Sequence, residues 1–91
     1  MDVHIEHEPG RFFARVEGEL AELVYERREG VLDVQHTYTP PALRGRDLAA
    51  RLTDAAFAYA REHRLRIVPS CSYTQTYLAR HPELRALAAP A

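Results

Sequence analysis

Apolar and polar residues alternate along positions 3–38, a period-two pattern that is typical of half-buried strands. The pattern predicts four strands, VHIEH, RFFARVE, ELAELVYERR and VLDVQHTYT, with tight turns at Pro9-Gly10, Gly18 and Glu29-Gly30. The predicted inward face consists of Phe12, Ala14, Val16, Ala21, Leu23, Tyr25, Leu32, Val34, His36 and Tyr38. Because short turns join antiparallel neighbours, we expect an antiparallel four-strand meander.

The periodicity changes after Pro40-Pro41, which ends the fourth strand because proline cannot donate to a strand ladder. Apolar residues then recur every three or four positions over 48–63, which predicts a long amphipathic helix. The segment 65–68 predicts a short fifth strand, and 73–80 predicts a second helix that ends before His81-Pro82. This order indicates a two-layer α/β fold with a crossover helix, a parallel fifth strand and a C-terminal helix.

Composition narrows the classes of function. A chain of 91 residues fits one small domain, 1–91, and its net charge of −1 does not favour nucleic acid as a partner. The lone cysteine, Cys71, excludes an internal disulfide and a multi-cysteine zinc site, and it fits a reducing compartment. No apolar run is long enough to span a membrane, and the N-terminus lacks the pattern of a signal peptide. We therefore expect a cytoplasmic protein with no metal centre.

The segment TPPALRGRDLAARL carries the most chemical information, because a strand ends there, the chain turns through Arg44-Gly45-Arg46, and the long helix begins. Unpaired amides and the positive end of the helix dipole favour anions at such a position, and the arginines add positive charge. The turn therefore indicates a phosphate site, and an ordinary loop with a helix cap remains the alternative.

The residues RGRDLA resemble the acetyl-CoA pyrophosphate motif of the GNAT acetyltransferases, Q/R-x-x-G-x-G/A. The chain as a whole, over residues 3–84, resembles the very small GNAT-like proteins that have a motif glycine and a cysteine near the acetyl group. The stretches that carry the likeness are HTYTPPALRGRDLA, AFAYAREHRLRIVPSC and YLARHPE. The resemblance implies a GNAT-like (acyl-CoA N-acyltransferase) fold and acetyl-CoA or coenzyme A as the cofactor.

The same resemblance implies a cofactor-binding set. Arg44 takes the Q/R position and Ala49 the last motif position, and the backbone amides between them would cradle the pyrophosphate. The pantetheine arm would pass the end of the fourth strand. The implied set is Tyr38, Thr39, Arg44, Gly45, Arg46, Asp47, Leu48, Ala49, Cys71 and Tyr77.

Asp47 departs from the motif, which has its central glycine at this position. Aspartate is a favoured helix N-cap, so its carboxylate would satisfy the first helical amides in place of a ligand. It would also repel a pyrophosphate. We therefore expect Asp47 to weaken cofactor affinity, unless Arg44 and Arg46 neutralise it or it points away.

Three residues are the candidates for catalysis. The resemblance places Cys71 near the acetyl group and makes Tyr77 the residue that protonates the departing thiolate; a buried, inert Cys71 is the alternative. His36, on the predicted inward face, is either a core histidine or a general base. His4 and His7 point to opposite sides of one strand and cannot chelate a common metal ion.

Together these features predict an acetyl-CoA-binding N-acetyltransferase that acts on an unidentified amine or protein acceptor. A non-catalytic acyl-CoA-binding module is the first alternative, and an interaction domain without a ligand is the second. A free sheet edge leaves homodimer formation open.

Overall fold

A computed structural model describes residues 3–89 of the chain. It has five strands, Glu6–Glu8 (β1), Arg11–Val16 (β2), Glu19–Arg28 (β3), Val31–Tyr38 (β4) and Arg66–Pro69 (β5). There are two α-helices, Leu48–Glu62 (α1) and Ser72–Arg80 (α2), and two short 3₁₀ segments, Pro41–Leu43 before α1 and Pro82–Leu87 after α2. The predicted elements are therefore present, although the first strand begins three residues later than expected.

The five strands form one sheet in the order β1-β2-β3-β4-β5. The first four pair antiparallel, and β5 pairs parallel to β4, from Val31 opposite Arg66 to Val34 opposite Pro69. The helix α1 makes the crossover that this parallel pair requires. The meander and the parallel fifth strand are both confirmed.

Both helices pack on one face of the sheet, which we call the covered face. Residues Phe12, Val16, Ala21, Leu23, Tyr25, Leu32, Val34 and Ile67 of this face form one core with Leu48, Leu52, Ala56, Phe57 and Ala60 of α1. We call the opposite side the open face. On it, Phe13 is buried beneath the guanidinium of Arg11, which lies 4.3 Å from the ring centroid.

A β-bulge in β4 changes which side chains point inward. Tyr25 pairs with Val34, but the preceding Val24 pairs with His36, so Gln35 is an extra residue in β4. Beyond this bulge Thr37 pairs with the core residue Leu23 and lies on the covered face. The alternation predicted an inward His36 and Tyr38, and this was wrong: both lie on the open face.

The two edges of the sheet differ. The chain after α2 returns along β5, where the Ala89 amide donates to the Ile67 carbonyl at 2.7 Å and Arg66 donates to the Ala86 carbonyl at 3.0 Å. The other edge is β1, whose three residues are all exposed and include Glu6 and Glu8. Among the described strands, β1 is the edge without a neighbour.

Candidate functional site

The connection from β4 to α1 turns twice through left-handed backbone. Gly45 has φ of +86° and Asp47 has φ of +58°, and α1 begins where the Arg51 amide donates to the Asp47 carbonyl at 3.0 Å. Left-handed φ is the conformation that glycine tolerates best, and aspartate is among the few other residues that adopt it readily. This explains how Asp47 takes the place of the motif glycine.

The expected capping by Asp47 was wrong. Its side chain makes no capping hydrogen bond, and the first turn of α1 contains no acidic residue. A capping side chain needs extended backbone at the N-cap, and the left-handed backbone of Asp47 directs the carboxylate elsewhere. The first amides of α1 therefore have no side-chain acceptor of this kind.

This loop and the helix start enclose a cavity of about 240 Å³, which we call the loop cavity. It is lined by Thr39, Leu43, Arg44, Gly45, Asp47, Leu48, Ala49, Ala50 and Tyr73. Six of the predicted cofactor residues thus come together around one space. An added Cβ at Gly45 would meet no atom within 4 Å, so the cavity is open on that side.

The two arginines of the loop point in different directions. Arg44 is exposed at the loop cavity, and its Nε donates to the Thr39 carbonyl at 3.4 Å. Arg46 instead forms an ion pair with Glu17 at 2.9 Å, and its hydrogen bond lowers the pKa of Glu17. Of the two, Arg44 is the cation that faces the cavity.

A second cavity of about 200 Å³, the inter-helix cavity, adjoins the first and shares Asp47, Ala50 and Tyr73 with it. Its other lining residues are Thr76, Tyr77, Arg80 and His81. We call these two adjoining cavities, which extend from the α1 N-terminus to Tyr77, the groove. Sequence reasoning missed Arg80, although it lies two helical turns after Tyr73 and therefore on the same side of α2.

Cys71 lies beside β4 just past Val34, the last residue of β4 that pairs with β5. Its amide donates to the Val34 carbonyl at 2.9 Å, and its Sγ lies 3.6 Å from the Thr37 hydroxyl. Burial raises the pKa of the thiol, but hydrogen bonds from the Thr37 hydroxyl and from the backbone N–H groups of Thr74 and Tyr73 outweigh it, so the net shift is downward. The surroundings of Cys71 therefore stabilise its thiolate relative to that of an ordinary cysteine.

Thr74 adds a second observation at this position. Its side chain is fully buried, and its Oγ1 has no hydrogen-bond partner within residues 3–89. A buried hydroxyl without a partner costs free energy. An ionised Cys71 gives that hydroxyl an acceptor, and the Thr74 side chain accordingly helps to lower the thiol pKa. Sequence reasoning identified Cys71 but missed Thr37 and Thr74.

Tyr77 is buried between the helices and donates a hydrogen bond to the Asp54 carboxylate of α1. Its pKa is raised well above its usual range, first by burial and then by the hydrogen bond to Asp54. The His81 ring stacks on the Tyr77 ring with centroids 4.2 Å apart. Tyr77 is therefore a weaker acid than an ordinary tyrosine.

The three predicted catalytic residues are not clustered. Cys71 and Tyr77 both lie on the covered face, whereas His36 is exposed on the open face. Only Cys71 has a described contact with residues 35–38 of β4, through Thr37, and this edge of β4 has no partner on the β5 side among the described strands. Tyr38, expected beside the pantetheine arm, is 43% exposed and lines neither cavity of the groove.

Among residues 3–89 there is no group of three or more metal-ligating side chains. Neither helix in this part of the chain is long and apolar enough to cross a membrane.

Comparison with known proteins shows the family to which this chain belongs. Residues 11–87 match the GCN5-related N-acetyl-transferase family, and the chain belongs to that family. The chain is 35% identical over 85 residues to Protein NATD1 of Gallus gallus, a match that covers 88% of this chain and 77% of that protein. The human NATD1 is equally similar, with 75% of its length covered, and the Danio rerio protein is 34% identical with 77% covered.

A solved structure agrees with the fold. The NMR structure of a GCN5-like protein from Staphylococcus aureus superposes with a TM-score of 0.74, covering 97% of this chain and 89% of that one, at 22% identity. The GNAT-like fold expected from the sequence is confirmed.

Proposed function

We propose that this protein binds acetyl-CoA in the groove between the loop 39–47 and the two helices, and transfers the acetyl group to an amine or protein acceptor. The observation that carries the proposal is the loop cavity. There the α1 amides lack a capping side chain, and Arg44 faces the same space. Backbone amides at a helix N-terminus together with an arginine are suited to a pyrophosphate.

The groove is consistent with a long, extended cofactor. Arg44 and the amides of Gly45, Leu48 and Ala49 would hold the phosphates, and Arg80 would add a second cation further along. Tyr73, which lines both cavities, would contact the arm between them. The bound cofactor supplies an activated acetyl thioester.

We place the reacting carbonyl at the unpaired edge of β4, beside Cys71. Backbone N–H groups of that edge would polarise the carbonyl oxygen, and Tyr77 would give a proton to the departing thiolate. Because the edge is unpaired, an acceptor can approach from the open face. There it meets His36, which would take the proton that the acceptor nitrogen loses.

Titration of the protein with acetyl-CoA and with CoA by calorimetry tests the binding step. We expect micromolar dissociation constants, weakened roughly tenfold by Arg44→Gln, because a charge-assisted hydrogen bond is lost. Arg85→Gln, an exposed cation on the 3₁₀ segment after α2, is the matched control. Absence of binding at millimolar ligand would overturn the proposal.

Intact mass spectrometry then tests transfer. After incubation with acetyl-CoA and a panel of primary amines, acetylated amine should accumulate. The chain contains no lysine, so a protein adduct of about 42 Da that disappears in Cys71→Ala would locate the acetyl group on the thiol.

A binding module without turnover is the second candidate function. The hydrogen bond between Tyr77 and Asp54 favours it, because a phenol held in this way is a weaker acid. Saturable acetyl-CoA binding with no acetylated product from any amine would support this second function.

A further inference from the structure

A larger cavity, of about 470 Å³, lies at the opposite end of α1 from the loop cavity. It is bounded by the β1–β2 turn, the end of β3 and Tyr59 near the end of α1. Tyr59 lies about 18 Å along the helix from Asp47, at 1.5 Å per residue. We call it the aromatic cavity, and its volume is in the usual range for a small-molecule site.

Rings from three elements, His7 of β1, Tyr25 of β3 and Tyr59 of α1, line the aromatic cavity, and Phe12 of β2 packs against them. The His7 ring stacks on Phe12 with centroids 4.1 Å apart and meets Tyr59 edge-on at 4.8 Å. His7 Nε2 and the Tyr25 hydroxyl are hydrogen bonded at 2.5 Å. Burial and the nearby His63 both lower the pKa of His7, which favours the uncharged form of its ring. A flat apolar ring would find stacking partners here.

Of the charged side chains at the rim of the aromatic cavity, the two carboxylates are in ion pairs within the described part of the chain and Arg27 is not. Two carboxylates line the cavity, but Glu8 is paired with Arg11 at 2.8 Å and Glu26 with Arg28 at 2.9 Å. Arg27 has no carboxylate partner among residues 3–89; it donates one hydrogen bond, at 2.6 Å, to the neutral Tyr59 hydroxyl. A guanidinium has five N–H donors, so most of those on Arg27 are left for a ligand.

From this combination we propose that the aromatic cavity binds a small aromatic carboxylate, its ring against His7 and Tyr59 and its carboxylate on Arg27. The planar guanidinium matches a carboxylate with two parallel hydrogen bonds. The aromatic cavity shares none of its lining residues with the loop cavity, so a ligand here would not compete with acetyl-CoA for the same contacts.

Three probes with the same ring and different charge test the proposal on the full chain: 4-hydroxyphenylacetate, the cationic tyramine and the neutral 4-hydroxyphenylethanol. In amide NMR titrations without acetyl-CoA, the carboxylate should bind saturably and shift the signals of His7, Gly10 and Arg27. Arg27→Gln should weaken its binding roughly tenfold. Arg85→Gln, which removes the same charge elsewhere, should leave it unchanged.

Equal binding of all three probes, or preference for tyramine, would overturn the assignment of Arg27 as the recognition group. Absence of shifts at the aromatic cavity would overturn the site itself. Since Arg27 is exposed, its replacement should leave the melting temperature unchanged, and a retained amide spectrum verifies the fold. None of these results bears on the acetyl-CoA titration, so the two proposals fail independently.

Discussion

Asp54 of α1 accepts the hydrogen bond that the Tyr77 hydroxyl of α2 donates, which joins the two helices beside the inter-helix cavity. The pair is partly removed from solvent, and the negative charge of Asp54 disfavours a second negative charge on the phenol. A residue on another helix therefore weakens the acidity of the predicted proton donor further, beyond the larger effect of burial.

Replacing Asp54 by asparagine should lower the pKa of Tyr77, because the nearby negative charge is removed. The pKa should stay above the usual range, since burial, the larger cause, is retained. Ultraviolet absorbance of the phenolate during an alkaline titration measures this change, and Tyr77→Phe identifies the signal. An unchanged titration in Asp54→Asn would show that the carboxylate has no influence on the phenol.

The same pair affects stability at high pH. The pKa of Tyr77 is higher in the folded than in the unfolded chain. At pH values below the unfolded pKa, the protonated phenol therefore makes its full contribution to the stability of the fold. That contribution is lost as pH rises through the folded pKa. Asp54→Asn should therefore reduce the loss of stability above about pH 10, the ordinary tyrosine pKa, as measured by denaturant unfolding.

Replacing Thr37 by valine should raise the pKa of Cys71, because valine keeps the shape but removes the hydroxyl that stabilises the thiolate. The rate of alkylation at neutral pH should fall several-fold, since only the thiolate reacts. Intact mass reports the reaction at a single site because Cys71 is the only cysteine. Thr76→Val, an exposed position on α2, is the control, and coincident rate–pH curves for both variants would contradict the role of Thr37.

Asp47→Asn and Asp47→Gly should each strengthen CoA binding by about three- to tenfold, because both remove a carboxylate from the loop cavity. Asp47→Ala should lose about 1 kcal/mol of unfolding free energy, because alanine adopts a φ of +58° less readily. Calorimetry and denaturant unfolding measure the two effects. If neither charge-removing variant gains affinity, Asp47 does not repel the cofactor.

His36→Ala should slow acetyl transfer to an amine by roughly a hundredfold and leave CoA affinity unchanged. The reason is position: His36 lies on the open face, away from both cavities of the groove. Steady-state kinetics with the best amine from the panel, together with calorimetry, separate the two quantities. His4→Ala, near the N-terminus and also exposed, is the control. A weakened CoA affinity would place His36 in the cofactor groove instead.

Periodicity predicted the elements with regular patterns well. The bounds of β3 agree with the sequence pattern, and α1 ends one residue before the predicted His63, because in both elements one apolar face is repeated without interruption. The bulge at Gln35 could not be predicted in this way. The apolar–polar alternation of the sequence continues through Gln35, but the extra residue moves each following side chain to the opposite face of the sheet.

The candidate site was predicted where residues lie close in sequence and missed where they meet only in space. Residues 44–49 are one motif, and all of them except Arg46 line one cavity. Thr37 is on β4 and Cys71 directly precedes α2, and Asp54 and Tyr77 are on different helices, so no spacing in the sequence predicts either pair. The ring network of His7, Tyr25 and Tyr59 was missed for the same reason.

The two outer strands of the sheet, β1 and β5, differ in how they could pair with a strand of a second molecule. Residues 88–89 pair with Ile67 in the middle of the short strand β5, so a further strand could not pair along that side without displacing them. Along β1 the backbone is free, but a second β1 alongside would bring four glutamates together. Edge-to-edge pairing of two copies is thus opposed by the chain at Ile67 on one side and, on the other, by electrostatic repulsion, which weakens in concentrated salt.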